Sequence, residues 1–245
     1  MKKLLLLSLF SVAGASFGQV PVIEWQKSLG GTGSERAQCI EHTADGGYIV
    51  AGWSNSSNGN VSVSYGMDDV WIVKLDVFNN ITWQKSYGGS LNDKAYSISK
   101  TSDGGYIVAG TSDSNDGDVT GHHGLIDIWI LKLDTNGNII WEKCLGGTYT
   151  EYVGSIEETP DGGYIVGGTT SSTDGDVSGN SGGFNFWVVK LDISGNIIWQ
   201  KPMGGSGQEF AYSIDLSNDG GYIIAGSSQS NDGDVQGFHG AIDFW

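Results

Sequence analysis

Three stretches of this sequence place two aspartates around a glycine: Asp116-Gly117-Asp118, Asp174-Gly175-Asp176 and Asp232-Gly233-Asp234. Paired carboxylates are hard oxygen donors of the kind calcium takes, so these six aspartates are the candidate calcium ligands and calcium the one candidate cofactor. An EF-hand loop is excluded, because serines precede Asp116 at alternate positions and no glutamate follows Gly117 at the sixth residue. The competing and preferred reading is a turn whose carboxylates accept hydrogen bonds from nearby backbone amides. The corresponding first loop, Asn58-Gly59-Asn60, carries amides instead and is expected to be the weakest calcium site.

Other chemistry is thin. Of His42, His122, His123 and His239, only His123 and His239 are related by the spacing described below, and no third ligand accompanies them, so no transition-metal site is expected. Gly30-Gly31-Thr32-Gly33-Ser34 lacks the Lys-Ser/Thr of a phosphate loop and reads as a connection between repeats. No nucleophile and base can be paired, and no catalytic residue is assigned. Cys39 and Cys144 have no cysteine at their repeat equivalents and read as free, buried thiols.

The elements that hold these residues follow from a repeat of 58 residues. Trp25, Trp83, Trp141 and Trp199 are 58 apart, as are Trp71, Trp129, Trp187 and Trp245, and an Asp-Gly-Gly precedes each of Tyr48, Tyr106, Tyr164 and Tyr222. Within a unit the apolar period is two, or the apolar run is short and bounded by turn formers. In the second copy, Ala95 to Thr101, Tyr106 to Gly110, Ile128 to Leu133 and Ile139 to Lys143 read as four strands, joined by tight turns at Asp103-Gly104-Gly105 and Asp134 to Asn138. A long loop joins the second strand to the third. Each unit is therefore expected to be a four-stranded antiparallel meander with two apolar faces, which only stacking on its neighbours can bury. The predicted fold is all-β, a β-propeller of four 58-residue blades over units 35–92, 93–150, 151–208 and 209–245, with 22–28 as an extra N-terminal strand.

The eight repeated tryptophans are expected to fill the spaces between blades and to be largely buried. Trp53 has threonine or serine at its equivalents, Thr111, Thr169 and Ser227, and is read as an exposed ring and a candidate partner contact. Lys74, Lys132 and Lys190 are expected to pair with an acid across a blade. Because alternate connections fall at opposite ends, the long loops should share one end with the Gly-Gly connections between units, and binding is expected there.

Residues 1–18 run from Lys2-Lys3 through the apolar Leu4 to Phe10 to small residues, the order of a signal peptide, leaving 19–245 as the repeat domain. The apolar run is far shorter than the roughly 20 residues that span a bilayer, and no later stretch qualifies, so the mature chain is read as having no transmembrane segment. The formal charge is −16, with no basic patch, which excludes nucleic acid as a partner.

The strings Trp-Gln-Lys-x-x-Gly-Gly, Asp-Gly-Gly-Tyr-Ile-Val-Ala-Gly and Trp-Ile-x-Lys-Leu-Asp-x-x-Gly-Asn resemble those of secreted propeller-repeat proteins of Bacteroidota-type bacteria. The resemblance implies a secreted or outer-surface protein, and the sequence is read as a fragment lacking the C-terminal sorting domain such proteins often carry. Leu133-Asp134-x-x-Gly137-x-x-x-Trp141 also looks like a shortened tryptophan-docking motif of quinoprotein propellers, which speaks to blade packing alone. The preferred reading is a non-enzymatic binding or structural repeat protein with a glycan or extracellular protein as partner. The alternative is a quinoprotein-like or glycan-acting propeller enzyme.

Overall fold

The computed structural model describes residues 22–245, so the signal-peptide segment lies outside the described residues. The chain is all-β, with four similar antiparallel sheets in chain order. The first contains β1 (Glu35–His42), β2 (Tyr48–Ser54), β3 (Asp69–Leu75) and β4 (Ile81–Tyr87). The second contains β5 (Asp93–Lys100), β6 (Tyr106–Ser112), β7 (Asp127–Leu133) and β8 (Ile139–Leu145). The third contains β9 (Glu151–Glu158), β10 (Tyr164–Thr170), β11 (Asn185–Leu191) and β12 (Ile197–Met203). The fourth has three strands, β13 (Glu209–Leu216), β14 (Tyr222–Ser228) and the short β15 (Asp243–Phe244). Strand order follows sequence order in every sheet, as a meander requires. Residues 22–28, expected as a strand, form none. Among the described residues no helix is long and apolar enough to cross a membrane.

The turns form where the sequence allows their backbone. In the second copy Thr101 N and Gly105 O close the first hairpin, and Asp103 Oδ1 accepts from Gly105 N at 2.9 Å. Gly104 stands at φ +82°, a left-handed conformation that glycine reaches without a Cβ penalty. In the later turn Asp134 Oδ1 accepts from both Asn136 N and Asn138 N, at 2.8 and 2.7 Å. The first copy has Asn79 in the left-handed position that Gly137 and Gly195 fill elsewhere, and asparagine is among the residues that tolerate it.

The lysines pair with acids across their own sheet. Lys74, Lys132 and Lys190 reach Asp45, Asp103 and Asp161 of the first hairpin turn at 2.8, 2.8 and 3.0 Å. The third strand lies beside the second in unbroken register, so its lysine passes directly under that turn. The Lys74 hydrogen bond, followed by that of Thr43, holds Asp45 down at about 2. At Asp103 burial opposes ionisation, and the Lys132 and Thr101 hydrogen bonds overcome it to give about 2.

The second and third strands are apolar at successive positions, which point to opposite faces, so each sheet has two apolar faces, and the sheets pack face to face in chain order. Tyr106, Val108, Trp129 and Leu131 of the second sheet meet Ile49, Val70 and Ile72 of the first. The opposite face of that second sheet, Ile107, Ile128 and Ile130, meets Tyr164, Val166 and Trp187 of the third. The third and fourth sheets join through Ile165 and Val188 against Ile214. Trp245 of the third-strand series is only half-buried, whereas Trp129 and Trp187 are buried in these layers and Trp71 on the outer face of the first sheet, as expected. The fourth-strand series is not: Trp25 and Trp199 remain 43% and 39% exposed, and Trp83 and Trp141 are half-buried. An outer strand has no neighbour on one side, so its indole covers only the tyrosine of the next unit. Trp83 lies on Tyr106, Trp141 on Tyr164 and Trp199 on Tyr222, with ring centroids 6.3, 5.7 and 6.0 Å apart.

Candidate functional site

The Asp-Gly-Asp loops reach back to the Gly-Gly connection that precedes their own sheet. Asp116 Oδ1 accepts from Ser90 N at 2.7 Å, and Asp118 Oδ2 from Gly88 N at 3.3 Å. The third copy repeats this with Asp174 on Thr148 N and Asp176 on Gly146 N, and the fourth with Asp232 on Ser206 N and Asp234 on Gly204 N. In the first copy Asn58 Oδ1 accepts from Thr32 N at 2.9 Å and Asn60 Oδ1 from Gly30 N at 3.1 Å. An amide oxygen thus serves where a carboxylate serves elsewhere, so the position demands an acceptor and not a charge. The loop sits tightly on its target: a Cβ on Gly117 would lie 2.3 Å from Gly88 O. Among the described residues no three His, Cys, Asp or Glu side chains converge to hold a metal ion.

Beneath each latch lies an acid with no special mark in the sequence. Glu35, Asp93, Glu151 and Glu209 open the first strand of each unit, and the last three are fully buried. Asp93 accepts from Ser112 Oγ, from Ser114 Oγ at 2.8 Å and from Gly89 N at 2.7 Å. Glu209 accepts from Ser228 Oγ and Ser230 Oγ at 2.8 and 2.6 Å and from Gly205 N at 3.1 Å. The acid thereby ties the long loop to the connection between units. Asp69 and Asp127, at the start of the third strands, are also buried. Burial, with the neighbouring Asp93 charge as a lesser cause, pushes Asp69 above its ordinary range.

Clefts repeat along the outer edge strands, running from the long loops of one unit to the later turn of the next. One is lined by Ser62, Tyr65, Gln84, Lys85, Asp118 and Asn138 and encloses about 310 Å³. The next, of about 350 Å³, is lined at the equivalent positions by Thr120, His123, Glu142, Lys143, Asp176 and Asn196. Their frame comes from the core. The buried Trp71 donates its indole N–H to Gln84 Oε1 at 2.8 Å, and Gln84 Nε2 donates to Ser62 Oγ at 2.7 Å. Trp129 holds Glu142 in the same way at 2.9 Å, and Trp187 holds Gln200 at 2.6 Å. Lys85 Nζ closes the far wall on Asn138 Oδ1 at 2.7 Å. Above this constant frame the exposed residue changes from Tyr65 to His123, whose Nδ1 lies 2.8 Å from Asp127 Oδ2.

Trp53 is not exposed. Its indole is 8% accessible and packs on Tyr96 of the second sheet, with the Arg36 and Lys94 cations 5.9 and 5.6 Å from its centroid. Its strand position faces the next sheet, and the bulge at Tyr96 turns that ring toward it. Both cysteines are free, and burial pushes the Cys39 thiol up to about 12 and raises Cys144 as well. Neither is a reactive thiolate near neutrality.

The loops are visible in the sequence, whereas the buried acids and the tryptophan-held cleft walls escape a search for reactive residue types. Both are nevertheless present as 58-residue series, Glu35/Asp93/Glu151/Glu209 and Gln84/Glu142/Gln200. Compared with protein-family models and with curated proteins, the chain matches none.

Proposed function

We propose that this chain is a secreted or surface-held binding protein without catalytic activity, of the Bacteroidota-type repeat class it resembles, and that its sheets are blades of a β-propeller. Its partner is a glycan. The observation that carries this reading is the pair of equivalent clefts, framed at the same repeat positions and differing at the rim. A frame fixed by buried indoles presents amide, hydroxyl, carboxylate and ammonium groups in both clefts, while the Tyr65/His123 position varies. Polar groups of both donor and acceptor kind beside an aromatic ring suit a sugar, whose hydroxyls need both and whose ring face is apolar. Two equivalent clefts on neighbouring units also favour a polymer, since two weak contacts on one chain add to useful avidity. Secretion is supported by the N-terminal residue order and by the acidic surface.

The test is a glycan array probed with labelled protein, followed by titration of any hit. Tyr65→Ala and His123→Ala alter rim residues outside the apolar layers, and together they should abolish binding while leaving the far-UV spectrum unchanged. An array without hits, or hits indifferent to both substitutions, would sink the glycan reading. Release of shortened or oxidised product from a bound glycan would overturn the non-enzymatic one.

A further inference from the structure

The buried acids that open the first strands lie opposite a second row of oxygens. A Cβ placed on Gly88 would stand 2.6 Å from Asp93 Oδ2 and 2.8 Å from Asp69 Oδ1, so the two carboxylates converge on a point that only a glycine leaves clear. The same point on Gly146 lies 2.4 Å from Glu151 Oε2 and 2.8 Å from Asp127 Oδ1. On Gly204 it lies 2.3 Å from Glu209 Oε2 and 1.9 Å from Asn185 Oδ1. Each pair joins the third strand of one sheet to the first strand of the next, and all six side chains are at most 4% exposed.

Among the described residues Asp69 Oδ1, Asp127 Oδ1 and Asn185 Oδ1 accept no hydrogen bond. The other atom of each head group is engaged, which fixes this oxygen toward the acid. Asp69 Oδ2 accepts from Tyr65 N at 2.7 Å, and Asp127 Oδ2 from His123 N at 2.8 Å. Asn185 Nδ2 donates to Asn180 Oδ1 at 2.6 Å, so the amide turns its oxygen, and not its N–H, toward Glu209. Were the position there to donate to the acid, the amide would stand the other way round. Acceptor thus faces acceptor at three successive junctions. Among the described residues no lysine or arginine pairs with any of these five acids, and His123 reaches only the outer oxygen of Asp127. A buried carboxylate without a counter-charge is costly, and two side by side are more so.

We propose that the junctions between consecutive sheets are calcium sites, with Asp69 and Asp93 as ligands at the first, Asp127 and Glu151 at the second, and Asn185 and Glu209 at the third. Calcium takes carboxylate and amide oxygens alike, and completes its shell with backbone carbonyls and water, so two side chains per ion suffice. At the third junction Asn185 and Gly204 line a cleft of about 370 Å³, which gives an ion and its water a path to the pair. Charge ranks the sites. Two carboxylates neutralise a divalent ion at the first two junctions, whereas a carboxylate and an amide leave it half-neutralised at the third, which is therefore the weakest. These ligands are distinct from the Asp-Gly-Asp loops, whose carboxylates already accept from backbone amides.

The test is calorimetric titration of calcium chloride into the chelator-stripped chain, beside thermal melts with and without calcium. The unaltered chain should take up one calcium ion tightly for each pair of carboxylates and one more weakly at Asn185, and its melting temperature should rise with calcium. Asp69→Asn and Asp127→Asn should each remove one tight site, and the two together should remove both. Asn185 shows that an amide fits this position, so the fold of these variants should persist by circular dichroism. Asn185→Asp should turn the weak site into a further tight one, a gain that a damaged fold cannot produce. Asp118→Asn with Asp176→Asn should leave both tight sites in place. An unaltered chain that takes up no calcium, uptake that survives Asp69→Asn with Asp127→Asn, or an Asn185→Asp variant without an added tight site would each overturn the proposal. So would uptake lost with Asp118→Asn and Asp176→Asn, since that result moves the ions to the loops. None of these readouts depends on glycan binding.

Discussion

Replacing Asp118 by asparagine should leave the protein as stable as before or make it more stable at neutral pH, although it removes one of the candidate calcium ligands. Asp118 accepts a hydrogen bond from Gly88 N at 3.3 Å, and its carboxyl lies above the ordinary range. Burial is the main cause, the Gly88 amide opposes it, and the Glu142 charge adds to it. A carboxyl whose folded value is raised is favoured in its protonated form on folding. Its contribution to stability is therefore full below the unfolded value and is lost as pH rises through the folded one. Asparagine keeps the acceptor, as Asn60 does for Gly30 N at 3.1 Å, without the charge. Asp118→Ala removes the acceptor and should cost about 1 kcal/mol. For a chain of this length that is a loss of about 2–4 °C in melting temperature. Calorimetric melting of both variants, at neutral and acid pH and with calcium or a chelator, provides the check. The advantage of asparagine over the native residue should fade in acid. A loss for asparagine equal to that for alanine, or a calcium-dependent rise seen in the native chain and not in Asp118→Asn, would refute the reasoning and make the loop a metal ligand.

Three further outcomes follow from the same geometry. Asp45, Asp103 and Asp161 are each held at about 2, so the stability they contribute is present above the unfolded value and is lost as pH falls through the folded one. Chemical denaturation from about pH 4 downward should show this loss, and the triple change to asparagine should flatten it. Trp129→Ala should cost about 3–5 kcal/mol in denaturant melts, in line with a fully buried indole. Trp129→Phe should cost less, although both changes remove the indole N–H that holds Glu142. Gly137→Ala should destabilise by more than about 1 kcal/mol, because Gly137 stands at φ +74° and the new Cβ would lie 2.9 Å from the Trp83 ring. Displacement of Trp83 should also change the intrinsic fluorescence.

Strand positions and turns are legible because they depend on neighbours in sequence. Asp-Gly-Gly before Tyr106 and the unbroken apolar run of Ile107, Val108 and Ala109 specify a hairpin strand with two covered faces whatever lies beyond it. Trp53 misleads for the opposite reason. Its threonine and serine equivalents suggest a solvent position, but its burial depends on Tyr96 and Lys94 of another sheet, and no pattern local to Trp53 brings those residues to it. The exposure of Trp25 and Trp199 has the same origin: a shared repeat position does not guarantee shared neighbours when one copy lies at an edge.

The buried acids carry a signal of another kind. A fully buried Glu209 or Asp93 is costly unless its oxygens are satisfied, and the hydroxyls that satisfy them lie 19 and 21 residues later in sequence. Ser54, Ser112, Thr170 and Ser228 recur at one of those offsets, and Ser56, Ser114, Ser172 and Ser230 at the other. An acid and two hydroxyls kept at constant offsets through all four units is a stronger signal than any single loop, because the hydroxyls donate to the acid and also accept from backbone amides of the loop and of the connection, as Ser114 does from Leu91 N. The Asp-Gly-Asp loops attract attention as carboxylates, yet their first copy works with amides. At the buried position the chain changes between Asp and Glu but never to an amide, because both carboxylate oxygens accept there, as Asp93 Oδ1 does from Ser112 and Oδ2 from Ser114 and Gly89, and an amide has only one acceptor oxygen. The carboxylates this fold requires are therefore Asp93, Glu151 and Glu209, where each fixes the loop that frames the neighbouring cleft.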